Sequence, residues 1–334
     1  MMNSTKPSTA SPIARNKNII LLAAAAVLIL AAVSLFVGKY PLSLRELFAG
    51  NERQWQVFYT LRLSRTAVAV LGGFILGVCG FVYQTVFQNP LASPDIIGVS
   101  SGASAGAAAG ILFFGGTFAV TASAFTGSLL AVALVLGLSS VDKNARKGTI
   151  VLAGIAVHAL AQTVLMALKI LADPERELAS IEYWIMGSLS DISSFRIGGN
   201  LLLGMLCVSA LFFLHRQTLL LSAEEGEAKM LGVSVGKLRF AVLIIATLSV
   251  SAVVSLTGLI SFIGLLAPHG ARLFTKNNRL GTLFLSGLFG SILLCGADIL
   301  ARSVSQTELP VSVFTSLLGA PALIVLLLKG RKTV

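Results

Sequence analysis

The feature that most restricts this chain is a succession of apolar runs, each near the length of a bilayer crossing and each bounded by polar or charged residues. A spanning helix needs about 20 mostly apolar residues. Runs that reach or approach that length occupy 18–38, 64–87, 97–115, 117–140, 149–171, 196–214, 239–258, 260–274, 281–301 and 311–329. The pattern predicts an all-α integral membrane protein with about ten transmembrane helices. Composition agrees: 12% of residues are charged and 55% are hydrophobic, whereas a soluble domain is nearer one-quarter charged. The 260–274 run is short and holds Pro268 and His269, which predicts a broken or tilted helix packed inside the bundle. Residues 1–17, rich in Ser, Thr, Pro and Asn, read as a short cytoplasmic tail, and 18–334 as one transmembrane domain whose first helix is retained.

Charge sets the orientation. With the N-terminus inside and ten crossings, 16 of the 25 Lys and Arg fall on inner segments with five acids. The other nine basic residues and nine acids fall outside. The whole net charge of +11 therefore lies on one face, as the positive-inside rule requires, with both termini cytoplasmic. The basic residues are scattered between apolar runs, which argues against a nucleic-acid partner.

The run Gly102-Ala-Ser-Ala-Gly106-Ala-Ala-Ala-Gly110 puts three glycines on one helix face, a device for close helix packing in lipid. Two polar stretches interrupt the apolar rhythm, one outside at 172–196 and one inside at 215–239, and both suit short amphipathic helices. In the second, Ala223, Glu227 and Met230 recur at helical spacing and Gly232 is a terminator.

Catalytic chemistry is not encoded. The nearest approach to a phosphate loop, Gly232-Val-Ser-Val-Gly236-Lys237-Leu238, is one residue short and lacks the Ser or Thr that holds magnesium. Cys79, Cys207 and Cys295 lie apart in apolar runs, and His158, His215 and His269 show no paired spacing, so neither disulfides nor a metal site is expected. Asp298 and Arg302 are four apart and can pair on one helix face, while Arg62 and Arg65, three apart, share another. No carboxylate sits at mid-membrane, which counts against a proton-coupled secondary transporter working alone.

In order along the chain, Leu61-Arg-Leu-Ser-Arg-Thr66, Gln84 with Asn89-Pro-Leu-Ala-Ser-Pro94, Gly98-Val-Ser-Ser-Gly-Ala103, Trp184-Ile-Met-Gly-Ser-Leu189, Leu231-Gly232, Ile260-Ser-Phe-Ile-Gly-Leu-Leu-Ala-Pro-His-Gly-Ala-Arg272, Ala297-Asp298 with Arg302, and Glu308-Leu-Pro310 through Gly319-Ala-Pro321 resemble the permeases of type II ABC importers for iron–siderophore, haem and cobalamin (the FecCD-like family). The resemblance runs from about residue 60 to the C-terminus. It implies two permease copies, identical or homologous, enclosing one pathway. It also implies an ATPase dimer docked on the cytoplasmic side, using ATP and Mg in its own subunits, and an extracytoplasmic binding protein that delivers a metal chelate. This chain would bind no cofactor and would not be an enzyme.

By position, the resemblance makes Arg62, Arg65 and Arg302 the docking sites for the binding protein. It makes the segment near 219–236, with Ala223, Glu224, Glu225, Glu227, Ala228, Leu231 and Gly232, the coupling element to the ATPase. Gln84, Asn89, Pro90, Ser100 and Ser101 are the candidate pathway residues, with helix caps or interhelical hydrogen bonds as their alternative use. Three positions depart from the family pattern: Ser64 replaces a proline, Gln88 an arginine and Gly270 a larger apolar residue. The expected function is import of a ferric siderophore across a bacterial inner membrane, with haem or cobalamin as the second choice.

Overall fold

The computed structural model describes residues 12–40, 42–140, 147–190, 192, 194–222, 234–275, 279–305 and 307–330. These are helical throughout their regular parts: α1 (Pro12–Phe36), α2 (Leu44–Phe48), α3 (Glu52–Phe87), α4 (Val99–Phe113), α5 (Thr117–Ser139), α6 (Lys147–Leu171), α7 (Glu177–Met186), α8 (Ser194–Phe213), α9 (His215–Leu220), α10 (Val235–Thr257), α11 (Ile263–Thr275), α12 (Leu280–Ser303) and α13 (Val311–Gly330). Each apolar run read from the sequence lies on one of these helices. Six of them are long and apolar enough to cross a membrane: α1, α3, α5, α6, α10 and α12. The others among the ten, α4, α8, α11 and α13, are shorter or carry shorter apolar windows.

Burial divides the bundle into an interior and a lipid-facing surface. In α3, 78% of the most apolar window is buried, and α10 and α12 follow at 67% and 61%. These three form the centre with α11. In α1 only 17% is buried, and Leu22 and Leu28 are more than 70% exposed. Leu152, Ile170, Leu202, Phe213 and Leu317 are exposed on other helices. Such a girdle would be costly in water and is favourable in hydrocarbon. The chain is thus a multi-pass membrane protein.

The glycine run packs as expected. A Cβ on Gly106 would lie 2.2 Å from the Ser123 carbonyl oxygen, and one on Gly127 would lie 2.4 Å from that of Gly102. The α4 and α5 backbones therefore touch, which only small residues permit. Hydroxyl pairs tie the interior: Tyr83 to Thr247 at 3.0 Å and Ser128 to Ser251 at 2.7 Å. Cys79 and Cys295 are buried free thiols and Cys207 is half-buried. Pro268 sits within α11, which continues through it. The chain enters α11 through an unwound stretch in which Phe262 adopts φ 67°. The polar stretch at 172–196 forms the short helix α7, as its pattern suggests. The stretch at 215–239 begins with α9, and its part 223–233 lies outside the described residues.

Candidate functional site

Two π-helical turns, Phe58–Leu63 and Val68–Gly72, interrupt α3. Each widens the helix and shifts the side chains that follow relative to an unbroken α-helix. Arg62 lies in the first, and Arg65 in the short α-helical turn between the two. Their guanidiniums take different partners within one cluster. Arg62 donates to the carbonyl oxygens of Val37 (2.8 Å) and Tyr40 (2.7 Å), so it caps the carbonyl end of α1, where a cation is favoured. Arg65 donates to Asp298 Oδ1 and to Glu308 Oε2, each at 2.7 Å.

Arg302 closes the network. It lies 3.0 Å from Asp298 Oδ2 on the same face of α12 and donates to Ser34 Oγ (2.6 Å) and to Val37 O (2.8 Å). Ser34 in turn meets Thr66 at 2.8 Å. The pairing of Asp298 with Arg302 expected from their spacing is present. All three arginines converge on one cluster, and they are only 6%, 7% and 3% exposed. Asp298 is fully buried. Together the cluster fastens α1, α3, α12 and the segment before α13 to one another.

Beside it, at the same end of the bundle, the connecting loops are stitched by backbone contacts. Ser188 N–H donates to Thr257 O at 2.7 Å, and Val311 N–H to Gly187 O at 3.0 Å. Gly187 and Gly258 have positive φ (68° and 70°), and a Cβ on Gly258 would lie 2.1 Å from Trp184 O. Glycine is required at this crossing. The stitch forms one wall of an open cavity of about 690 Å³ between the ends of α4, α5, α7 and α10. Thr117, Thr121, Ser180, Tyr183, Ser188, Ser255 and Thr257 supply its polar lining, and among the described residues no charged side chain lines it. The Tyr183 hydroxyl meets Ser188 at 3.1 Å and Ser190 at 2.8 Å.

The five pathway candidates do not line this cavity. Gln84 is buried; its amide donates to Leu265 O at 3.1 Å and its carbonyl accepts from Arg272. The Arg272 guanidinium also sits 5.0 Å from the centre of the Phe81 ring. Gln84 is therefore a strut between α3 and α11. Asn89 and Pro90 form an exposed turn after α3, in which Asn89 Oδ1 accepts from Leu91 N–H at 2.9 Å. Ser100 donates to Asp95, and Ser101 donates to Gly98 O at 3.2 Å, both in the first turn of α4. Gln84 thus makes interhelical bonds, Ser100 and Ser101 bond at the start of a helix, and Asn89 bonds within its own turn. The cavity-lining hydroxyls escaped sequence reasoning. Their signal was the Trp184–Leu189 motif inside the polar stretch at 172–196, next to which Tyr183 stands. The coupling candidates Ala223, Glu224, Glu225, Glu227, Ala228, Leu231 and Gly232 lie outside the described residues.

Comparison with known proteins places this architecture. Residues 26–329 match the FecCD transport family. The chain is 32% identical over 314 residues to the molybdate import system permease protein MolB of Haemophilus influenzae, covering 91% of this chain and 93% of that one. It is 35% identical over 322 residues to a probable iron chelatin transport system permease protein of Helicobacter pylori, covering 92% and 97%. A solved structure assigned to the metal-chelate type of ABC transporter, in an inward-facing conformation, superposes with a TM-score of 0.86 at 32% identity, covering 94% of this chain and 99% of that one. A likeness this extensive in sequence and in fold settles the assignment: the chain belongs to the FecCD transport family and is a membrane-embedded ABC permease subunit, not an enzyme.

Proposed function

We propose that this chain forms half of the channel of a type II ABC importer and passes a metal chelate, a ferric siderophore, into a bacterial cell across its inner membrane. The observation that carries the cargo class is the open cavity of about 690 Å³ with hydroxyls and, among the described residues, no charge in its lining. Its volume suits a small-molecule ligand. A bare oxyanion such as molybdate calls for guanidinium, ammonium or converging amide donors. A bulky chelate that already wraps its metal needs only room and weak, reversible contacts, since tight binding stalls release. The iron chelatin relative is consistent with that choice.

The topology we propose has ten crossings with both termini in the cytoplasm, from the charge asymmetry. The arginine end then faces outward. There the binding protein docks on the face that Arg62, Arg65 and Arg302 hold in shape. The segment 219–236 contacts the ATPase dimer on the opposite side. A second permease copy, identical or homologous, covers the exposed side of α6 on which His158 stands among apolar residues. Polar side chains at that depth belong against protein or a water-filled lumen, not lipid.

Uptake tests the cargo. Cells lacking this chain should lose accumulation of ⁵⁵Fe-labelled siderophore and regain it on complementation, with molybdate uptake unchanged. Restoration of molybdate uptake alone would replace the chelate reading with an oxyanion one.

A further inference from the structure

At the end of the bundle away from the arginines, α5 and α10 part to leave a groove of about 470 Å³. Leu129, Val132, Leu136 and Gly137 form one wall, and Phe240 and Ile244 the other. Thr247 also borders it, with its hydroxyl engaged by Tyr83. From Leu129 to Ser140 the groove runs about 16 Å at the helical rise. One leaflet of hydrocarbon is about 15 Å deep.

One exposed cation stands by the mouth: Lys237 is exposed and lies three residues before Phe240, hence on the same face of α10. The first turn of α10 contains no acid. A depth of one leaflet, an apolar wall and an exposed lysine at the mouth match the two parts of one kind of molecule.

We propose that this groove binds an anionic phospholipid, with an acyl chain between α5 and α10 and its headgroup phosphate near Lys237. That the lipid belongs to the cytoplasmic leaflet rests on the topology proposed above; the binding itself does not. The site fixes a lipid against α10, whose other end builds the wall of the cargo cavity.

Native mass spectrometry of the full chain, released from nanodiscs of equal phosphatidylglycerol and phosphatidylcholine, tests this. Wild type should retain phosphatidylglycerol about fivefold over phosphatidylcholine, the effect of one basic residue at a membrane surface. Gly137→Phe should lose the retained lipid. A Cβ at Gly137 meets no atom within 4 Å, so the ring fills the groove without a clash at its root. Lys237→Glu should keep lipid but lose the preference. Equal retention of the two lipids by wild type, or full retention by Gly137→Phe, overturns the proposal. So does oxidative cross-linking of Gly137→Cys between two copies, which would put a second chain in the groove. Labelling of Lys237→Cys by an impermeant maleimide from outside intact cells would overturn the topology while leaving the lipid site standing.

Discussion

Arg65 donates to the Asp298 carboxylate across 2.7 Å, although 233 positions separate the two residues in the chain. Asp298 is fully buried, so its charge depends on the cations that Arg65 and Arg302 supply. Removing one partner of a buried pair leaves an uncompensated charge and costs about 3–5 kcal/mol. Arg302 stays in place when Arg65 is cut, so Arg65→Ala is expected at the low end, about 3 kcal/mol. Thermal unfolding in detergent reads this directly, with the exposed Arg45→Ala as a neutral comparison. The result also separates two roles. If Arg65→Glu abolished capture of the binding protein while melting like wild type, the side chain would be a docking contact and the internal clamp would be wrong.

The parts of this site that are legible in the sequence are those set by short-range geometry. Asp298 and Arg302 pair because four residues bring side chains onto one helix face. The glycines at 102, 106 and 110 pack closely for the same reason. The destination of Arg62 is not legible: a π turn carries no clear residue signature, and its partners are backbone carbonyls that any sequence could offer. Gln84 is ambiguous for another reason. A polar residue in an apolar run faces either a lumen or a neighbouring helix, and here the neighbour is 181 residues away at Leu265. The cavity draws on the ends of four helices, so no local pattern announces it.

Gly106 gives a second prediction. Its missing Cβ leaves room for the Ser123 carbonyl, and any larger side chain must push α4 and α5 apart. Gly106→Leu is expected to destabilise by about 1–3 kcal/mol, the usual cost of overpacking. Gly148, where a Cβ meets nothing within 4 Å, should accept Ala with little change. Equal melting of the two variants would mean that the helices separate freely at this contact.

The Gln84 strut gives a third. Gln84→Leu keeps the volume but removes both hydrogen bonds and leaves the Leu265 carbonyl without that donor. A buried unsatisfied group costs about 1–3 kcal/mol. Stability should fall by that amount, while the relative uptake of different chelates stays fixed. A change in chelate preference without loss of stability would return Gln84 to the pathway.

A fourth prediction concerns the coupling segment. Glu224, Glu225 and Glu227 give the polar stretch at 215–239 three acids within four positions. Replacing all three with Lys should release the ATPase, because like charges set against a complementary surface cost several kcal/mol. The ATPase recovered per permease on affinity purification measures it, and full recovery would move the coupling element elsewhere.

The hydroxyl-lined cavity carries the last. Thr121 lies in its wall, and its hydroxyl donates to the Thr117 carbonyl of its own helix at 2.9 Å. Thr121→Val removes only a hydroxyl already engaged locally, so uptake should be nearly normal. Thr121→Arg places a fixed cation beside the cargo. An anionic chelate would then bind more tightly and leave more slowly, and a neutral one would lose room. Adding about 1.4 kcal/mol to the exit barrier slows flux about tenfold. Uptake by Thr121→Arg should therefore fall about tenfold or more, with thermal stability within about 0.5 kcal/mol of wild type as for other partly exposed positions. Because the two chelate classes fail for different reasons, their affinities should move in opposite directions in reconstituted vesicles: anionic cargo gains affinity as it loses rate, and neutral cargo loses both. Unchanged uptake of both classes would mean that cargo does not pass this wall, and the pathway would have to be sought along the exposed face of α6.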